Sequence, residues 1–184
     1  ELLAQLTAGD WLVIGGARAI VGVDEARRLV YFTGTRDGYA ERHLYSVSLD
    51  ARAPAEPKRL TREAGWHDGI RMSTDARRYL ATSSNVDRPP ALGLYDANGE
   101  RLAWLVENRL DAEHPYAPFL AQHPRHEFGA APGADGTPLP YVLMKPRDFD
   151  PAKKYPVVVH VYGGPHAQYV ANQWPAGIVT QFRN

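Results

Sequence analysis

A mostly β chain is what this sequence predicts: the last blades of a β-propeller, followed by the first strands of a sheet covered by helices on both faces. Three observations carry that expectation. Short apolar or alternating runs, separated by turn residues, fill the first 108 residues. Part of that stretch repeats at an offset of 50 residues. Further on, the valine-rich run 157–161 ends abruptly in Tyr162-Gly163-Gly164-Pro165.

Taken in order, "DWLVIGG" begins at Asp10 with Trp11 and apolar alternation, and Gly15-Gly16 breaks it. "RRLVYFTGT" (27–35) is β-branched and aromatic, and Gly34 closes it. "RHLYSVSLD" (42–50) sets Leu44, Ser46 and Ser48 against Tyr45, Val47 and Leu49, the period of a strand with two unlike faces. The repeat then aligns "DEARRLVYFTGT" (24–35) with "TDARRYLATSSN" (74–85), and Leu44-Tyr45 with Leu94-Tyr95. Units of this length fit four-stranded blades, which must stack to bury both faces. Two blades do not close a ring of roughly four to eight, so the segment is expected to end a larger propeller. Arg27-Arg28 and Arg77-Arg78 read as solvated turns before strands, and Trp66-His67 as the opening of the second blade. Pro89-Pro90 in "SNVDRPP" argue against a central strand there.

From Asn108 the pattern changes. "NRLDAEHPYAPFLAQ" holds two prolines and weak helical spacing, which reads as a linker with one short helical turn. "HEFGAAPGADGTPLPYVLMKP" reads as two strands around a Gly/Asp turn. "RDFDPAKKYP" is a polar loop leading to the valine run, and a helix is expected to start near Pro175. The domain expectation is therefore propeller blades with a linker over 1–120, and the start of an α/β domain over 121–184.

Composition narrows the function. The 184 residues carry 21 basic and 21 acidic side chains, with no long run of one sign, so a nucleic-acid partner is not expected. With 44% hydrophobic and 23% charged residues the chain is that of a folded protein. No apolar run approaches the length of a bilayer span. Zero cysteines exclude disulfides and thiolate metal sites. The start "ELLAQLTAGDW" has neither an initiator Met nor a signal pattern, which suggests a piece of a longer chain.

The chemistry concentrates at "VVVHVYGGP". An apolar strand that ends in a tyrosine and a tight glycine turn has the anatomy of the loop that helps form an oxyanion hole in α/β-hydrolases. The same pattern also fits a buried tyrosine beside a purely structural turn. "VDEARRLVYFTGTRDGYAERHLYSVSLD", "RLTREAGWHDG", "SNVDRPP", "FDPAKKYPVVVHVYGGPHAQ" and the terminal "FRN" resemble, in order, the dipeptidyl peptidase IV branch of the prolyl oligopeptidase clan of serine peptidases. "GGPHAQ" and "TRDGYAERHLY" look closer to bacterial members and the dipeptidyl peptidase 8/9-like group than to the mammalian cell-surface enzyme.

That resemblance implies a β-propeller ahead of an α/β-hydrolase domain and release of N-terminal Xaa-Pro or Xaa-Ala dipeptides from peptide substrates. It implies no cofactor, and a homodimer for the full-length parent. It assigns the oxyanion-hole phenol to Tyr162 and carries over no other catalytic residue; His166, just after Pro165, reads either as a border of the substrate pocket or as an ordinary loop residue. The family's nucleophile sits in a Gly-x-Ser-x-Gly turn, and none of the five serines (Ser46, Ser48, Ser73, Ser83, Ser84) stands in one. By the resemblance, the triad's Ser, Asp and His lie beyond residue 184 and the amine-binding glutamates before residue 1, so the chain ends between the oxyanion loop and the nucleophile. The 184 residues alone are expected to be inactive. Two alternatives stay open: a propeller binding protein without catalysis, and an acylaminoacyl-peptidase or prolyl endopeptidase relative. The compartment also stays open, with periplasm or secretion fitting a bacterial parent and the cytoplasm as alternative.

Other candidates favour ordinary readings. His123 and His126 have helical spacing, but Pro124 intervenes and no third ligand is evident, so no metal is expected. His160, inside the valine run, reads as a packed core histidine. Asp68 has no serine at triad spacing. Trp11, Trp66 and Trp104 read as blade-core or blade-edge aromatics.

Overall fold

In the structure, a computed structural model, residues 3–15, 19–164 and 167–175 are described. The chain divides into two compact units: Glu1–Arg109 together with Asn172–Trp174, and Leu110–Ala171 with the chain from Pro175 on.

The first unit holds β1 (Ile20–Asp24), β2 (Leu29–Gly34), β3 (His43–Ser48), β4 (Lys58–Arg59), β5 (Trp66–Met72), β6 (Arg78–Asn85), β7 (Arg88–Asp96) and β8 (Arg101–Val106). They form two four-stranded antiparallel sheets, ordered β1-β2-β3-β4 and β5-β6-β7-β8. These are the expected repeat units, and β5 opens the second at Trp66. "DWLVIGG" contributes a single bridge, Val13 to Gly34, rather than a strand.

Two apolar clusters bury the faces of the first sheet. Tyr31 and Leu44 pack with Leu60, Ala76, Tyr79, Ala81 and Tyr95, so this cluster joins both sheets. Val30, Phe32, Tyr45 and Val47 point the other way, against Leu6, Trp11, Leu49 and Ala55. The period-two alternation read in "RHLYSVSLD" is thus a division between two cores. Tyr45 and Tyr95 keep the 50-residue relation, each paired with an aromatic of the preceding strand, Tyr45 with Phe32 and Tyr95 with Tyr79. Tyr31 and Ala81 do not, because both enter the shared cluster from opposite sheets. The strand registers explain the slip: the pairs with Tyr45 and Tyr95 set Phe32 against Tyr79, 47 residues apart instead of 50, and an odd slip of three turns a strand's side chains to the other face.

Three further expectations change. Pro89 and Pro90 do lie in a central strand, since β7 runs between β6 and β8. They occupy its first residues, where pairing with β8 has not begun; that ladder runs from Leu92 to Tyr95. No ladder N–H is required there, and the Pro90 carbonyl accepts a hydrogen bond from Asn108 Nδ2 at 2.8 Å. Arg27 is not simply solvated: its guanidinium bonds Asp24 Oδ2 (2.5 Å) and the Ala76 carbonyl (2.7 Å). Finally, residues 156–162 form no strand. Val157, Val158, Val159 and Val161 are exposed, and no described residue pairs with them, whereas a strand needs a neighbour to satisfy its N–H and C=O groups.

In the second unit, β9 (Arg125–Pro132) and β10 (Pro138–Lys145) form the expected hairpin around the Gly/Asp turn. A 3-10 helix, Ala117–Gln122, supplies the expected short helical turn. The helix expected from Pro175 falls on residues outside those described. No helix among the described residues is long and apolar enough to cross a membrane.

Candidate functional site

The chain reaches the Tyr162 loop from the end of β10 through a pinned polar segment. Lys145 bonds Glu127 at 2.7 Å and holds its ammonium 4.9 Å above the Phe149 ring. Phe149 stacks on Tyr155 (5.0 Å), and the Tyr155 hydroxyl accepts the Asp150 N–H at 3.0 Å. The extended valine run follows.

Tyr162 is 47% exposed. Its ring stacks on Tyr169 at 5.8 Å and 14°, and His160 meets the same ring edge-on at 4.7 Å. The glycines make this arrangement possible. Gly163 has φ +72°, a left-handed conformation that other residues adopt at a cost. A Cβ on Gly164 would lie 3.0 Å from the Tyr162 ring, so the small residue leaves room for the phenol to fold over its own turn. The result is a solvent-accessible O–H donor with its ring braced by a second aromatic. Such a group can donate to an oxygen that gains negative charge.

His160 is exposed rather than packed in a core, because the valine run that carries it is not enclosed by a sheet. His166 lies outside the described residues. Tyr169 was not singled out from the sequence; the only signal was an aromatic residue seven positions beyond Tyr162. His123 is buried with Nδ1 3.0 Å from the Tyr116 hydroxyl, and its ring lies 5.6 Å from that of His126.

The first unit contains a buried polar network that composition alone did not reveal. His43 is fully buried, with Nδ1 2.9 Å from Thr61 Oγ1 and Nε2 2.7 Å from Glu41 Oε2. Thr61 Oγ1 accepts the Leu44 N–H, so its own proton is free for His43 Nδ1, and His43 Nε2–H donates to Glu41. The His67 ring lies 5.1 Å away, with Nε2 donating to the Glu63 carbonyl (3.0 Å). Burial pushes the His67 pKa down to about 4 and also lowers that of His43. Both rings are therefore neutral at pH 7. Glu63 also pairs with Arg88 and, at 3.1 Å, with Arg101. Asp68 pairs with Arg42 at 3.2 Å. Trp11 stacks on Phe32 in the core, whereas Trp66 and Trp104 each face an arginine, Arg42 at 6.0 Å and Arg101 at 4.2 Å.

Known proteins resemble this chain over most of its length. Residues 1–90 match the family model described as the dipeptidyl peptidase IV (DPP IV) N-terminal region. Human dipeptidyl peptidase 8 is 34% identical over 175 residues, covering 92% of this chain and 19% of that protein. A probable dipeptidyl-aminopeptidase B of Emericella nidulans is 33% identical over 168 residues, covering 90% of this chain and 18% of that protein. Among solved structures, dipeptidyl peptidase 4 of Porphyromonas gingivalis superposes with a TM-score of 0.79 at 22% identity, over 97% of this chain and 24% of that one. A putative dipeptidyl aminopeptidase IV of Bacteroides ovatus gives 0.71 at 35% identity, over 92% and 22%. The chain thus spans about a fifth of the length of these relatives.

Proposed function

Because this chain belongs to the dipeptidyl peptidase IV family, we propose that it forms part of a serine exopeptidase in which Tyr162 stabilises the oxyanion of acyl transfer. The substrates are peptides with Pro or Ala second, released as N-terminal dipeptides. Residues 1–120 are assigned to propeller blades and linker, and 121–184 to the start of the α/β-hydrolase domain. The full-length protein is assigned as a homodimer.

One observation carries the reading: an accessible phenol stands on a two-glycine turn that leaves room for its ring. When a serine attacks the scissile carbonyl, the oxygen takes on negative charge, and a donor held ready for it lowers the barrier by about 3 kcal/mol. Tyr162 donates without losing its proton. The serine, its acid–base partners and the second N–H donor are assigned outside these 184 residues, which hold no Gly-x-Ser-x-Gly. His166 is assigned to the border of the substrate pocket.

The test is turnover of an Xaa-Pro chromogenic dipeptide. Tyr162→Phe in the full-length enzyme should lower kcat roughly 10²–10³-fold; an unchanged kcat removes Tyr162 from the mechanism. The 184 residues alone should turn over nothing, since triad members act as a unit. Cleavage by this segment, or an inert full-length protein, would contradict the assignment.

A further inference from the structure

Beyond the Tyr162 loop, the chain returns to the first unit at Asn172–Trp174, and the contacts there are specific. The Asn172 backbone N–H donates to the Ala40 carbonyl at 2.6 Å. Its side chain uses both ends: Nδ2 donates to Glu41 Oε1 at 3.2 Å, and Oδ1 accepts the Val86 N–H at 3.2 Å. The Trp174 N–H reaches Ser84 Oγ at 3.4 Å. An asparagine is required by this pattern, because only a primary amide offers a donor and an acceptor side by side at this length.

The receiving groups are held as firmly. Glu41 Oε2 is occupied by His43 Nε2–H, and the fully buried His43 is fixed from its other side by Thr61. Oε1 is therefore the carboxylate oxygen that faces Asn172. A hydrogen bond to an ionised acceptor is about twice as strong as a neutral one.

We propose that Asn172 is a positioning residue for Tyr162, an inference that rests on the oxyanion reading given above. The link is short. Tyr162 stacks on Tyr169, and Tyr169 precedes Asn172 by three residues, at most about 10 Å of extended chain. Anchoring Asn172 restricts where Tyr169 can go, and Tyr169 braces the phenol ring. Catalysis by a fixed donor is sensitive to misplacement of about 1 Å, which can cost up to about a hundredfold in rate. Asn172 touches no substrate in this scheme and acts only through the tyrosine pair.

A double-mutant cycle in the full-length enzyme tests this, with kcat and KM measured on an Xaa-Pro chromogenic dipeptide. Asn172→Ala should lower kcat about tenfold with KM within about twofold. In a Tyr162→Phe background the same change should cost almost nothing more, because the group it positions is gone. Losses that multiply, or an unchanged kcat in Asn172→Ala, overturn the positioning role. Should Tyr162→Phe itself keep the wild-type kcat, the oxyanion reading fails first and the two failures are told apart. Asn172→Asp provides a second variant that keeps the size of the side chain. It sets a carboxylate against Glu41, so its kcat relative to wild type should fall as pH rises from about 5 to 8. A flat ratio across that range overturns the role of the Glu41 contact.

Discussion

Buried hydroxyls in the first unit differ in one respect that sets their energetic value. The Tyr45 hydroxyl donates to Asp37 Oδ2 at 2.5 Å and accepts the Asp37 N–H at 3.2 Å. Those of Tyr31 and Tyr79 have no hydrogen-bond partner among the described residues. Burial raises the pKa of all three, so each stays a neutral phenol. Tyr45→Phe should therefore destabilise the chain by about 1.5–3 kcal/mol, the range for a hydrogen bond to a charged group. Tyr79→Phe removes an unpaired polar atom and should be neutral or stabilising within about 1 kcal/mol. Urea midpoints of the two variants check this, and equal destabilisation would show that the Tyr79 hydroxyl has a partner. None of this was legible in the sequence, where three tyrosines on β-strands look alike. Tyr162 was legible, because its signal is local: a tyrosine followed by two glycines. Asn172 was not, since Glu41 lies 131 residues away in the chain.

Among elements, the strands of both sheets were foreshadowed by β-branched runs and alternation, and the β9–β10 hairpin by its turn. What the patterns could not show is how the two sheets are joined. A parallel bridge pairs Arg42 with Trp66, with the Arg42 N–H bonding the Gly65 carbonyl (3.3 Å) and the His67 N–H the Arg42 carbonyl (3.0 Å). Gly65 is essential to this seam: its φ is +131°, and a Cβ would fall 2.2 Å from the Ser84 carbonyl oxygen. Gly65→Ala should cost more than about 2 kcal/mol and speed hydrogen exchange at Arg42 and His67 ahead of the strand centres. Uniform exchange would place the strain elsewhere. The valine run is the opposite case, extended but without a strand partner among the described residues. Its composition is that of a covered strand, but strand formation needs a partner, and composition does not supply one.

At the scale of the whole molecule, the His43–His67 pair makes the first unit acid-sensitive. The folded pKa of His67 is about 4 against an ordinary 6.5, so between those values the unfolded chain binds more protons. Stability therefore rises with pH across that window and is lost as pH falls through it. For His67 alone the loss from pH 7 to pH 5 is about 2 kcal/mol, and His43 adds in the same direction. Urea unfolding at the two pH values measures it, and His67→Gln should flatten the dependence; a variant with the wild-type slope would assign the effect to other groups. The sequence by itself determined the mostly β class, the repeated four-stranded units and the tyrosine on its glycine turn. Each is written in residues close together, where periodicity and turn chemistry act over a few bonds. Only the tertiary structure decided which tyrosines are paired, that two histidines meet in one seam, and that Asn172 docks on Glu41. Those depend on packing between distant segments, whose contacts no local pattern encodes.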